Sequence, residues 1–371
     1  MKAWARAVAV LVVFAAGCAL AIFVGAPDAA PTASDSGTVG QSIPPTISGG
    51  ETIPPTISGG ETIPPNTAPT AADDSYSAAA NLPLTVPAPG ILNNDTDPDG
   101  DAMTASLVSG PAHADSFTSN ADGSFAYTPV AGYAGPDAFT YKANDGQADS
   151  NIATVSIAVI NYAPTAVSAN GQCSPTNMAS GTIDLALGDP NGDDVTLTLA
   201  SNSNTSLVPN ANVIFGGFAY SRTVTVTGAP KKKGTAVLTF NVSDGTNTLQ
   251  VVVTVKIGTD NAETINGTSG IDMILGLAGR NTLNGNAGND LLCGGNAGDV
   301  LNGGDGNDTL DGEKGDDSLS AGDRNDRLRG SNGNDTLAGG AGGDSFSGGP
   351  GLDVATDFSA AEGDIQDGTI P

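Results

Sequence analysis

A nine-residue period governs the last third of the chain. From Gly258 to Thr356 the sequence divides into eleven rows of nine residues with no gap. The sixth row reads Gly303-Gly304-Asp305-Gly306-Asn307-Asp308-Thr309-Leu310-Asp311, and the template is G-G-x-G-x-D-x-L-x. Position six is aspartate in nine rows: Asp272, Asp290, Asp299, Asp308, Asp317, Asp326, Asp335, Asp344 and Asp353. The other two rows carry Glu263 and Asn281, which still offer oxygen. Position eight is apolar throughout, from Ile265 and Ile274 through the run of leucines to Phe346 and Ala355.

Each position has a physical task. Glycines permit positive φ, so the first six residues of a row make a tight turn. The last three are a short strand whose middle side chain points to a narrow core. One row cannot bury that side chain alone, but stacked rows can. The position-six carboxylates stand where turns stack, and hard cations want several oxygens at once. A flexible acidic linker is the alternative, since Gly and Asp are turn formers. The phased leucine argues against it, because a linker has no use for one.

These rows resemble the RTX, or haemolysin-type, calcium-binding family. The resemblance implies a parallel β-roll in which two rows make one coil, so same-side neighbours are 18 residues apart. One edge then carries Asp272, Asp290, Asp308, Asp326 and Asp344. The other carries Glu263, Asn281, Asp299, Asp317, Asp335 and Asp353. It also implies several Ca2+ ions held between same-side turns by these side chains and by main-chain carbonyls. The segment Asp357-Phe358 to Glu362-Gly363-Asp364-Ile365 is expected to cover the open end of the stack. Position four departs from glycine at Asn261, Ala297 and Arg324, and position one departs at Ala321. Ala and Arg resist positive φ, so rows five and eight stray furthest from the template.

Charge agrees with a cation ligand. The formal net charge is −27, and residues 258–371 hold 20 acidic against five basic side chains. That excludes nucleic acid as a partner, because phosphate neutralisation needs Lys and Arg. Packed carboxylates repel one another, so the roll should fold poorly without cations.

Upstream, Asn66-Thr67-Ala68-Pro69-Thr70-Ala71 and Asn161-Tyr162-Ala163-Pro164-Thr165-Ala166 open two related units. Asp97-Pro98-Asp99-Gly100-Asp101 in the first answers to Asp189-Pro190-Asn191-Gly192-Asp193 in the second, and Asn144-Asp145-Gly146 answers to Ser243-Asp244-Gly245. Each unit closes on a period-two strand, such as Leu249, Val251, Val253, Val255 and Ile257. Short strands with Gly/Asn/Asp turns in units of this length indicate β-sandwiches. The first unit, through Gly90-Ile91-Leu92-Asn93-Asn94-Asp95, the D-P-D-G-D run and Phe139-Thr140-Tyr141, resembles the cadherin-like, immunoglobulin-fold repeats of bacterial surface proteins. The second keeps fewer of those landmarks. The resemblance implies a rod used for adhesion or display. Asp97, Asp99, Asp101 and Asp145 either aim at a further calcium ion or merely shape a turn.

The expected fold class is all-β: two β-sandwich (cadherin-like) domains followed by a C-terminal parallel β-roll solenoid. Residues 1–30 read as a signal peptide, with Lys2 and Arg6 before an apolar run. An uncleaved membrane anchor and a lipid on Cys18 are the alternatives. Residues 31–67 read as a Pro/Gly-rich repeat stalk. The sandwiches are expected over 68–161 and 162–257, and the roll with its cap over 258–371. A disulfide between Cys173 and Cys293 is open to the chain, though nothing in their spacing supports it, and Cys293, at position nine of its row, reads as a surface residue.

The chain has one histidine, His113, in a turn-like setting without a visible partner. It carries no H-E-x-x-H, G-x-S-x-G or phosphate-binding loop, so no enzyme is expected. The expected function is that of a secreted or cell-surface calcium-binding structural or adhesion protein. Its expected partners are calcium and cell-surface or matrix components, with membrane contact only through the N-terminus. The alternatives are a carbohydrate-binding protein, for which Tyr127, Tyr133 and Tyr141 are the one aromatic cluster, and an unfamiliar enzyme using surface carboxylates on polysaccharides.

Overall fold

The computed structural model describes residues 65–174 and 179–370. The expected signal peptide and nearly all of the expected stalk lie outside these residues. Among the described residues the only helices are two short 3-10 turns, and all other regular structure is β.

Residues 66–160 form the first sandwich. Its strands are β1 (Asp74–Ala79), β2 (Leu84–Val86), β3 (Thr104–Ser109), β4 (Ala114–Ser119), β5 (Phe125–Pro129), β6 (Gly135–Asn144) and β7 (Ala153–Ile160). One sheet has the order β1-β7-β6-β3, the other β2-β5-β4. Alternation along β5 and β6 sends Phe125, Tyr127, Phe139 and Tyr141 inward, where they pack with Ile91, Val155 and Ile157. Phe125 and Phe139 meet edge to face at 5.2 Å, a favoured aromatic geometry.

The second sandwich comprises β8 (Thr165–Cys173), β9 (Ser180–Gly188), β10 (Thr196–Asn202), β11 (Val213–Phe218), β12 (Ser221–Thr227), β13 (Gly234–Ser243) and β14 (Thr248–Ile257). One sheet is β11-β12-β9-β8. The other begins β10-β13-β14 but does not stop there. β14 pairs in parallel with the strand Ile271–Leu275, from Val253↔Ile271 to Ile257↔Leu275. The sheet then runs on through the roll, nine strands in all. An edge strand left open would expose unpaired N–H and C=O groups; here the roll covers it.

Past Ile257 the strands alternate between this long sheet and a second, six-stranded one. Pairing is parallel at a spacing of 18 residues, as Leu301↔Leu319 in one sheet and Leu310↔Leu328 in the other. The position-eight side chains from Ile274 to Phe346 fill the space between the sheets, each no more than 1% exposed. At the far end the strand Ile365–Gln366 adds to the long sheet. Phe358 packs on Phe346 at 5.9 Å, Ile370 enters the core, and Asp357 accepts hydrogen bonds from Gly339 N and Gly340 N. The C-terminal segment thus covers the stack.

Sequence reasoning placed Cys293 on the surface; the structure buries it and joins it to Cys173 in a disulfide. The reason is the shared sheet. Positions seven and nine point away from the roll's own core, yet in rows two and four the face they form packs against β8 and β9. Met273, Leu275, Leu291 and Cys293 therefore belong to the core of the second sandwich. Leu291 lies so close to Gly171 and Gly181 that a side chain at either glycine would collide with it.

Candidate metal centre

The turns of the roll depend on two left-handed residues per row. From row three onward position two has positive φ in every row, including Leu277, Asn286, Glu313 and Ser331. Position four is left-handed from row three through row ten, and Ala297 (φ 88°) and Arg324 (φ 86°) adopt it with the glycines. Rows five and eight thus keep the turn, at a cost of roughly 1–2 kcal/mol for each such non-glycine residue. At residue 306 a side chain would strike the carbonyl oxygen of Gly288 one coil back, so that row needs its glycine.

These turns bring the position-six residues into two ladders along the two edges. On one edge Asp272 N donates to Asp290 Oδ1, Asp290 N to Asp308 Oδ1, Asp308 N to Asp326 Oδ1 and Asp326 N to Asp344 Oδ1, all at 2.7–2.8 Å. Asp364 of the end segment closes that ladder by accepting from Asp344 N at 2.8 Å. On the other edge Asn281, Asp299, Asp317, Asp335 and Asp353 accept in turn, from Glu263 N to Asp335 N. The nine aspartates are no more than 3% exposed.

One oxygen of each carboxylate is used, in the ladder for all but Asp272, whose Oδ2 accepts from Thr268 N and Oγ1, and the other is not. Oδ2 of Asp290, Asp299, Asp308, Asp317, Asp326, Asp335, Asp344 and Asp353 is buried and has no hydrogen-bond partner, as is Oδ1 of Asp272. A buried polar atom left unpaired costs about 1–3 kcal/mol, more when charged. A Cβ added to Gly285, Gly294 or Gly303 would come within 3.0 Å both of the unpaired Oδ2 of its own row and of the carbonyl oxygen one coil on. The position-one glycine therefore keeps open a small space faced by a carboxylate oxygen and a main-chain carbonyl. Hard oxygen donors converging on a confined space suit a cation such as Ca2+.

The electrostatics point the same way. Burial, reinforced by neighbouring carboxylates, pushes Asp290, Asp317 and Asp326 up to about 8. Burial raises Asp299, Asp308 and Asp335 to about 6, and raises Asp272 and Asp344 as well. In each case the main-chain N–H on the carboxylate pulls the other way and loses.

Other expected site residues fall differently. Asp97 Oδ1 accepts from Asp99 N and Asp101 N, shaping the turn, and Asp145 is tied to Asn66, Gln147 and Ala148. These four acids do not converge as a ligand group among the described residues, whereas Asp189, Asp193 and Asp244 of the second sandwich lie within 4.8 Å of one another. That trio was legible only as matched landmarks. Tyr127 and Tyr141 are fully buried, which removes them from any sugar platform. His113 does have partners: its ring stacks on Tyr133 at 4.0 Å and lies 3.7 Å from Asp137.

Comparison with known proteins bears on the repeat first. Residues 257–292, 294–323 and 320–355 match the model of the RTX calcium-binding nonapeptide repeat. The roll is an RTX-type array. Residues 66–158 match the bacterial Ig domain. No curated protein matches the chain. Among solved structures, the N-terminal eight Ig domains of Down Syndrome Cell Adhesion Molecule share 11% identity at a TM-score of 0.22, over 50% of this chain and 27% of that one. The adhesin InvE of Yersinia pseudotuberculosis shares 15% at 0.20, over 50% and 58%. Domains 5-6 of the S-layer protein SbsC share 19% at 0.16, over 51% and 95%. The chain thus spans about a quarter of the first of these and just over half of the second. At these TM-scores the likeness carries no structural argument.

Proposed function

We propose that this is a secreted or cell-surface calcium-binding protein with structural or adhesive work, whose roll folds when Ca2+ binds between its turns. The observation that carries the reading is the row of buried carboxylate oxygens without partners on both edges. Asp272, Asp290, Asp308, Asp326 and Asp344 would hold ions on one edge, and Asp299, Asp317, Asp335 and Asp353 on the other. Main-chain carbonyls at position one stand beside them. Bound Ca2+ supplies the positive charge and the oxygen ligation that these carboxylates lack within the chain.

The energetics suit coupled folding. Free calcium at ten times its Kd stabilises by about 1.4 kcal/mol per site. Five such sites would contribute roughly 7 kcal/mol, the scale of a whole domain's stability. A roll with this dependence stays loose where calcium is scarce and closes where it is plentiful. The Cys173–Cys293 disulfide supports an oxidising compartment outside the cytosol, in keeping with the expected leader. The bacterial Ig domain and the sheet shared by the second sandwich and the roll favour display or adhesion over catalysis.

The test is a calcium titration of the whole chain followed by circular dichroism, with Asp308→Ala beside the wild type. We expect Asp308→Ala to raise the calcium needed for the β-signal to appear. An unchanged midpoint would contradict the assignment of Asp308 as a ligand.

A further inference from the structure

Ala321 is the only position-one residue of the eleven rows that is not glycine. In seven other rows, at Gly285, Gly294, Gly303, Gly312, Gly330, Gly339 and Gly348, an added Cβ would come within 3.0 Å of the unpaired carboxylate oxygen. In row eight that Cβ is present. Ala321 is fully buried and counts among the apolar core of the roll. Its methyl group therefore stands on the side of the turn that the other rows leave open toward the carboxylate.

The ladder itself is intact at this row. Asp326 Oδ1 accepts from Asp308 N at 2.7 Å, and Asp326 Oδ2 is buried without a partner like its neighbours. What differs is the surroundings of that oxygen. Row eight also carries three of the five basic residues of 258–371, Arg324, Arg327 and Arg329. Arg329 lies 3.7 Å from Asp311. A methyl group takes space from a cation and its ligands.

We propose that the step of the array at Asp326, between rows eight and ten, is its weakest calcium position, made so by Ala321 and filled last. This rests on the calcium reading of the roll. Rows on either side keep glycine at position one, so the array would load around a built-in gap.

Calcium binding to the full chain, counted by equilibrium dialysis and calorimetry with Ca2+ alone as probe, tests this through Ala321→Gly and Gly303→Ala. Ala321→Gly should add one tightly bound ion, or tighten the weakest class of site at least about tenfold. Gly303→Ala should do the reverse at Asp308. An Ala321→Gly protein with the same ion count and the same affinities as the wild type would overturn the proposal. Because it only removes a methyl group, that variant decides the matter even where Gly303→Ala fails to fold. Absence of calcium binding in the wild type and both variants would overturn the underlying calcium reading instead, and this proposal with it.

Discussion

Asp137 in the first sandwich and Asp317 in the roll are both buried, at 7% and 3% exposure, and they are treated in opposite ways. Asp137 accepts from Ala112 N, His113 N and Ala138 N at 2.9 Å and from the Tyr127 hydroxyl at 3.0 Å. Burial pushes its carboxyl up, but those four donors outweigh burial and hold it below the usual range. Asp317 receives one main-chain N–H, from Asp299, and its other oxygen receives nothing. Burial and its carboxylate neighbours raise it to about 8. Equal burial, then, does not mean equal status. At Asp137 the sandwich satisfies a buried charge from within, and the roll repeats an unsatisfied one along both edges.

The comparison can be pressed from several sides. The largest effect is expected where the second sandwich meets the roll. Cys173→Ser should cost about 2–5 kcal/mol, since it removes a cross-link closing a loop of 120 residues. Denaturant melts should show that loss in the transition of the second sandwich and roll, and none in the first sandwich. Next, Leu310→Ala opens a cavity in the single-file core and should cost roughly 2–5 kcal/mol in calcium.

A smaller effect separates the two aspartates more sharply, because its sign changes. Asp137→Asn should destabilise the first sandwich by about 1–3 kcal/mol with or without calcium, because it disturbs a satisfied charge. Asp317→Asn should destabilise the roll in calcium and stabilise it in chelator, where the lost charge had no partner. Melts of both variants in calcium and in chelator would check this. A calcium-independent loss at Asp317 would erase the distinction.

The same contrast can be pressed through the pH response of the calcium-free chain. Carboxyls raised to about 6–8 in the folded roll contribute stability that is fully present below their unfolded values near 3.8 and is lost as pH rises through 6–8. The chelated roll should therefore melt higher at pH 5 than at pH 8. Asp137, held low, behaves oppositely: its contribution is present above its unfolded value and is lost as pH falls through its folded one. Asp74, raised to about 6 by burial, gives the first sandwich a smaller trend of the same sign as the roll over that range. Calcium should abolish the trend in the roll, since it keeps the carboxylates ionised.

Much of this architecture is legible in the sequence. A period of nine with aspartate at six and leucine at eight admits one stacking register, and Leu301↔Leu319 follows from it. Alternation along Phe125-Ala126-Tyr127 foretells which aromatics turn inward. The shared sheet is not legible, because Met273, Leu275, Leu291 and Cys293 pass for looseness of the repeat. Their apolar character at positions seven and nine together, found only in rows two and four, was the available signal. The satisfied charges of the first sandwich are hidden for another reason. Asp95 is bonded by the Tyr141 hydroxyl from 46 residues away, and only the folded chain brings the two together. The unpaired oxygens of the roll are likewise a property of turn geometry, although the glycine at position one marks where they stand.

The most direct measurement is hydrogen exchange on the whole chain with and without calcium, with magnesium as control. The account predicts that main-chain amides of 282–356 gain strong protection in calcium alone, while those of the first sandwich are protected in every condition. Equal protection of the roll in chelator would contradict it, because the buried carboxylates would then be stable without a cation.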